Sequence, residues 1–158
     1  MPELAEALDA CAGIDVNVEI KSHRKEPDFD ESRQLARDVA ALLMSRDDRH
    51  RMLVTSFDFD TIEVVKQVAP EIRTGFLYTR PRLIQATLVN DMVAHGHVAL
   101  HPYHLGVNRQ LVELAHAAGI QVNTWTVDDP ARMRELRDWG VDAVITNVPD
   151  VALAALAG

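Results

Sequence analysis

The sequence predicts a parallel α/β fold built from repeated strand–helix units. Three observations lead there. Short runs of strand-forming residues alternate with helical stretches along nearly the whole chain. The links between them are short, a pattern that means parallel strands joined by right-handed helical crossovers. Six strand candidates occur, and the polar residues near them gather at their carboxyl ends. In barrels and open parallel sheets alike, that edge carries the site.

The elements follow in order. Pro2 to Ala10 reads as a short helix with Leu4, Ala5 and Leu8 on one side, broken by Gly13. Next comes Val16-Asn17-Val18-Glu19-Ile20-Lys21, apolar and polar by turns, the period of a strand with one greasy face. Val16, Val18 and Ile20 point one way; Asn17, Glu19 and Lys21 point the other. An acid and a base on one face of a buried strand are costly unless paired or bound to a metal. Glu19 and Lys21 therefore mark the best candidate site. His23 to Asp30 is charged, contains Pro27 and reads as a loop. Asp30 is placed as the N-cap of a helix from Glu31 to about Ser45, with Leu35, Val39, Leu42 and Leu43 at helical spacing. Ser45 to His50 is a solvated connector.

Met52 to Ser56 is the second strand, and Phe57 and Asp58 turn it into a helix carrying Ile62, Val65 and Val68 that stops before Pro70. Thr74 to Tyr78 is a third, weaker strand, and a helix around Leu83 to His95 precedes Gly96. His97 to His101 is the fourth strand, stopped by Pro102. Asn108 to Ala118 is helical, with Leu111, Leu114 and Ala115 inward and Gly119 at its end. Gln121 to Thr126 is the fifth strand. Asp129-Pro130 opens the next helix in the preferred order, cap and then proline, and Gly140 ends it. Asp142 to Thr146 is the sixth strand, and Asp150 is placed as the cap of a last apolar helix to Leu156. Asp128 and Asp129 are likewise assigned to capping.

Composition bounds the function. The 158 residues suffice for one domain with a core, and 47% hydrophobic with 25% charged residues is ordinary for a soluble protein. A net charge of −8 argues against a nucleic-acid partner, which calls for a basic patch. A phosphate-bearing substrate stays open, because a bound divalent cation reverses the local field. The lone Cys11 rules out an intrachain disulfide and a cysteine-based zinc site. No apolar run reaches the roughly 18 residues of a membrane span, and the start has no secretory pattern, so a soluble, cytoplasmic location is expected. There is no Gly-x-Gly-x-x-Gly after any strand and no Walker-type loop, which makes a nucleotide fold the weaker choice.

Four stretches together carry a resemblance to a known family. Pro2-Glu3-Leu4 through Leu8 is similar to an "IPTLEEVL" helix that leads into a "NIEIK" strand, here Asn17 to Lys21. Thr55-Ser56-Phe57-Asp58 is similar to "SSFDP". Trp125-Thr126-Val127 is similar to "WTVN", and Gly140 to Asp142 with Ile145 to Pro149 resembles "GVDGIITDxP". In this order and spacing they resemble the glycerophosphodiester phosphodiesterases, phospholipase-C-like phosphodiesterases of TIM-barrel fold. The resemblance covers the carboxyl-terminal part of such a barrel, about six βα units. The family's opening "HRG", "ENT", "ELDV" and "HD" segments, which supply two catalytic histidines and most metal carboxylates, have no counterpart here, in a barrel that typically needs about 250 residues.

The resemblance implies hydrolysis of a glycerophosphodiester to glycerol 3-phosphate and an alcohol, with Mg²⁺ or Ca²⁺ as Lewis acid and template. It assigns Glu19 to the metal and Lys21 to the phosphate, where its charge offsets the anion. The bland alternative for that pair is a structural ion pair. Trp125 matches a tryptophan bordering the glycerol pocket, or else is an ordinary core residue. Ser56 and Phe57 are placed as lining residues, although strand ends often carry a serine for local bonding. His101 and His104, around Pro102 and Tyr103, lie at the correct strand end to replace the missing acid and base, yet match no catalytic motif. His23, His50, His95, His97 and His116 read as surface or helix-end residues. Asn147 stands where the family usually has Asp. On this reading the chain by itself is inactive or nearly so. It either completes a barrel with a missing amino-terminal half or self-associates as a non-catalytic partial barrel, since open sheet edges invite association.

Overall fold

A computed structural model of the chain describes residues 2–22, 29–79 and 85–157. The loop expected at His23 and Pro27, and the helix start expected at Leu83, lie outside these residues. The chain divides into two compact units with the boundary between Phe76 and Leu77.

The first unit contains α1 (Leu4–Ala10), β1 (Val16–Glu19), α2 (Gln34–Met44), a 3-10 turn at Arg49–Arg51, β2 (Met52–Ser56), α3 (Phe59–Val68) and most of β3 (Arg73–Tyr78). β1 runs parallel to β2 with Val18 opposite Val54, and β2 runs parallel to β3 with Val54 opposite Thr74. The alternation in β1 does what its period demands. Val18 and Ile20 enter a core with Leu8, Val39, Leu43, Met52, Val54, Val65 and Ile72. Each such side chain contributes about 1.5–3 kcal/mol on burial.

Four expectations are corrected in this unit. Asn17, Glu19 and Lys21 are exposed, so the charge pair meets no desolvation cost. Helix α2 begins at Gln34, after Arg33 in the left-handed region at φ 57°. Asp30 still serves its start: its carboxylate accepts from Ser32 N at 2.8 Å and Gln34 N at 2.7 Å. Leu35 is 54% exposed, because α2 turns Ala36, Val39, Ala40 and Leu43 inward instead. Small residues at positions 36 and 40 leave room for a close approach that Leu35 would prevent. Val68 is also exposed, at the end of α3.

The second unit holds the end of β3, α4 (Gln85–Ala94), β4 (Ala99–Pro102), a 3-10 turn at His104–Gly106, α5 (Arg109–Ala117), β5 (Gln121–Thr124), α6 (Pro130–Asp138), β6 (Ala143–Val144) and α7 (Pro149–Leu156). β4 and β5 are parallel with Leu100 opposite Val122; β5 and β6 are parallel with Thr124 opposite Val144. The core of this unit draws on Met92, Leu100, Leu111, Val122, Met133 and Leu136, all essentially inaccessible. Asn108 caps α5 by accepting from Leu111 N at 2.8 Å, and Asp129 caps α6 through Ala131 N at 3.0 Å. Gly119 closes α5 at φ +76°, the left-handed turn that favours glycine.

Here too the limits shift. Pro102 is the last residue of β4, not a stop before it. Its carbonyl accepts from Thr124 Oγ1 at 2.9 Å and from Trp125 N at 3.3 Å. β5 ends at Thr124 and β6 is only Ala143–Val144, although Ile145 N still bonds Thr124 O at 2.8 Å. Leu114 is only partly buried. His97 is buried at 2% exposure, not a surface residue. Asp150 lies in the first turn of α7, whose cap position is Val148.

Candidate functional site

In the first unit the carboxyl end of β1 presents Glu19 and Lys21, both exposed, on the strand face opposite Val18 and Ile20. Asn17 on the same face accepts from Thr55 Oγ1 at 3.1 Å. Ser56 is fully buried and its hydroxyl is engaged twice. It donates to Ile20 O at 2.8 Å and accepts from Asp58 N at 3.1 Å. It thus ties the end of β2 to the end of β1. Phe57, half-buried, follows it.

Just beyond lies a cluster that the sequence did not single out. Arg33 is 8% exposed and its Nε donates to Asp58 Oδ2 at 2.7 Å. Its other nitrogens reach Asp60 at 3.3 Å, Glu31 O at 3.0 Å and Asp30 O at 3.3 Å, and its guanidinium lies 4.7 Å from the Phe29 ring centre. Asp58 also accepts from Thr61 Oγ1 at 2.8 Å. The aspartate of the "SSFDP"-like stretch is thus the fixed point for the chain entering α2.

In the second unit His101 and Asn123 occupy opposed positions of β4 and β5. His101 is 1% exposed, and its Nε2 lies 3.2 Å from the Asn123 side-chain amide nitrogen. Burial lowers its pKa to about 4. His101 is therefore a neutral interior group, and its carbonyl accepts from Trp125 Nε1 at 2.8 Å. Tyr103 forms a parallel bridge with Trp125, their rings 5.3 Å apart. His104 is half-buried, and burial followed by the Arg132 charge holds its pKa below the ordinary imidazole value.

The polar residues after β5 and β6 meet each other. Asp128 accepts from Thr146 Oγ1 at 2.8 Å and from Asn147 at its backbone N and side-chain Nδ2, both 2.9 Å. The Asn147 backbone bond leads in holding this carboxyl below the usual range. Asp128 is therefore a loop clasp and not a helix cap. A signal for it was present in the sequence: Asp128 stands at the Asn of "WTVN" and Asn147 at the Asp of "ITDxP", a reciprocal exchange.

A divalent cation needs several oxygen ligands. Among the described residues no group of three or more His, Cys, Asp or Glu side chains could hold one. Glu19 is thus a single carboxylate without the partners such an ion demands, and the described residues do not fit a complete metal centre.

Parallel strand–helix units with polar groups at the strands' carboxyl ends define an α/β scaffold of the TIM-barrel class. Residues 1–151 match the glycerophosphoryl diester phosphodiesterase family, and the chain belongs to it. A glycerophosphodiester phosphodiesterase of Bacillus subtilis is 27% identical over 155 residues, covering 96% of this chain and 52% of that protein. A crystal structure of a Silicibacter pomeroyi protein assigned to the same family superposes with a TM-score of 0.86 at 29% identity, over 99% of this chain and 56% of that one. An Oleispira antarctica phosphodiesterase in complex with sn-glycerol-3-phosphate shares the fold, with a TM-score of 0.82 at 21% identity, over 99% of this chain and 62% of that one. The chain thus spans a little over half the length of these relatives.

Proposed function

We propose that this chain is the scaffold and phosphate-side part of a phosphodiesterase that hydrolyses glycerophosphodiesters to glycerol 3-phosphate and an alcohol. The observation that carries the reading is Glu19 and Lys21 exposed on one strand face at the carboxyl end of β1, within a chain of this family. Lys21 would offset the phosphate charge and Trp125 would border the glycerol. Ser56 serves by holding the strand ends, and Phe57 lines the edge. Mg²⁺ or Ca²⁺ is the ion the family resemblance implies, with Glu19 as one ligand among others that a partner must bring. His101 is neutral and buried, which suits a supporting role better than proton transfer, and His104 is the more accessible of the two. The reaction therefore needs groups from an amino-terminal half. The test is release of glycerol 3-phosphate from glycerophosphocholine with Mg²⁺ or Ca²⁺, with and without EDTA. The chain alone should give none, and adding the amino-terminal half of a family member in trans should restore EDTA-sensitive turnover. Failure of every such half to restore it counts against the reading.

A second reading is favoured by one observation. An apolar groove of about 520 Å³ lies along β6 and α7, lined by Val144, Ala152, Leu153 and Leu156, with Leu153 74% exposed. A second copy of the chain covering this groove would make a homo-oligomeric, non-catalytic partial barrel. Light scattering should then give a multiple of the chain mass, and Leu153→Asp should return it to a monomer. A single-chain mass before substitution rejects this reading.

A further inference from the structure

Glu19 and Lys21, the exposed pair of the first unit, flank a residue whose side chain and backbone are both fixed. The Ile20 side chain is 3% exposed within the core. Its N–H donates to Thr55 O at 2.8 Å, and its carbonyl accepts from Ser56 Oγ at 2.8 Å. The second bond orients the peptide that joins Ile20 to Lys21, because a carbonyl and the N–H that follows it share one plane. The backbone of Lys21 thus takes its direction from the Ser56 hydroxyl. A hydroxyl rotates to suit its surroundings. This one is held, because its oxygen accepts from Asp58 N at 3.1 Å.

Asp58 is itself held in an unusual way. An aspartate at a helix N-cap ordinarily turns its carboxylate onto the first N–H groups of its own helix. Asp58 stands at the N-cap of α3 and makes no such bond. Its Oδ2 accepts instead from Arg33 Nε at 2.7 Å and from Thr61 Oγ1 at 2.8 Å. A buried ion pair adds little net stability over apolar side chains of similar size, so its presence here points to a geometric role. Arg33 is also the one non-glycine residue with a left-handed φ, at 57°, among the described residues. Backbone in that region persists where its surroundings over-determine it, and such residues cluster at functional sites. Three hydrogen bonds therefore lead from Arg33 through Asp58 and Ser56 to the peptide of Lys21.

We propose that Arg33 and Asp58 are positioning residues, which act through the Ser56 hydroxyl to fix the direction in which Lys21 is presented to a phosphate anion. That such an anion is the ligand of Lys21 rests on the diesterase reading above; the hold on the Lys21 peptide does not.

The first test uses the intact chain without substrate and reads the nitrogen relaxation of its backbone amides. In the parent the order parameters of Ile20 and Lys21 should be those of rigid backbone, about 0.85. Asp58→Asn removes the carboxylate charge from Arg33, and Ser56→Ala removes the hydroxyl while keeping the Arg33–Asp58 pair. Each should lower the Lys21 value to about 0.6 and leave Leu43 and Val65 unchanged. A Lys21 value that stays at the parent level in folded Asp58→Asn overturns the proposal, as does a parent value already near that of a flexible segment. Should Asp58→Asn fail to fold, Arg33→Lys, which keeps a charge on Asp58 but loses the rigid fork, is read in the same way.

The second test is kinetic and uses the barrel completed in trans. Asp58→Asn should lower kcat/KM for glycerophosphocholine about tenfold, and Lys21→Met should lower it at least as far. In a Lys21→Met background Asp58→Asn should cost nothing further, since its effect passes through Lys21. Losses that multiply overturn the proposal and leave Asp58 a purely structural residue. A completed parent barrel without turnover counts against the diesterase reading alone, and the relaxation result then decides the positioning role.

Discussion

Asp128 and Asn147 grip each other at both carboxylate oxygens, Oδ1 accepting the Asn147 backbone N–H and Oδ2 its side-chain amide, each at 2.9 Å. The motifs these stretches resemble carry Asn first and Asp second, so in this chain amide and carboxylate stand in each other's places. The two residues should therefore be energetically coupled. Asp128→Asn and Asn147→Asp should each lower the melting temperature, the second by setting two carboxylates face to face. The double exchange should recover most of the loss. Additive losses in the double variant would show that the clasp contributes no coupling.

Arg33 and Asp58 form a second pair of a different kind, since both are about nine-tenths buried. Removing one partner of a buried pair leaves an uncompensated charge, a loss of about 3–5 kcal/mol. Arg33→Met should cost close to that in a urea titration. The more exposed Asp60 contributes little to it, as surface pairs do. Arg33→Lys should recover only part, because a point charge cannot serve two carboxylates and two carbonyls at once. A loss below about 1 kcal/mol for Arg33→Met would mean that water already reaches Asp58.

How much of this was legible in the sequence depends on the element. β2 reads at its observed limits because five consecutive strand-forming residues bounded by a connector and a turn leave one interpretation. The α6 cap reads correctly because Asp-Pro fixes both the cap and the first turn. The inward face of α2 does not, because apolar size points to Leu35 whereas close packing selects Ala36 and Ala40. Glu19 and Lys21 are legible as sharing one strand face but not as exposed, since period two gives the face and not what covers it. Arg33 and Asp58 lie 25 residues apart and share no periodic pattern, so only the tertiary fold brings them together.

Glu19 is exposed, which separates its proposed metal-binding role from any structural one. Glu19→Gln should change stability by no more than about 0.5 kcal/mol, as at most surface sites. It should nonetheless abolish the EDTA-sensitive turnover of a barrel completed in trans. A Glu19→Gln chain that keeps that turnover would remove Glu19 from the metal, and a chain that unfolds would give it a structural role instead.

His101 predicts how stability should vary with pH. Its folded pKa is about 4, and the ordinary value is about 6.5. Above pH 6.5 the ring is neutral whether the chain is folded or not, and it adds no pH dependence. Between 6.5 and 4 the unfolded chain binds a proton that the folded chain refuses, so stability falls as pH falls, by about 3 kcal/mol at the lower limit. Asp128 and Asp30 act in a separate window. Their pKa values are lowered from 3.8, so the stability they add is lost only as pH falls below that value. Urea titrations at pH 7, 5.5 and 4.5 should show the loss in the parent chain and a clearly smaller one in His101→Gln, where His104, whose pKa is also lowered by burial, still contributes. Parallel pH curves for the two chains would show that His101 is protonated while folded, and that the Asn123 contact tolerates the charge.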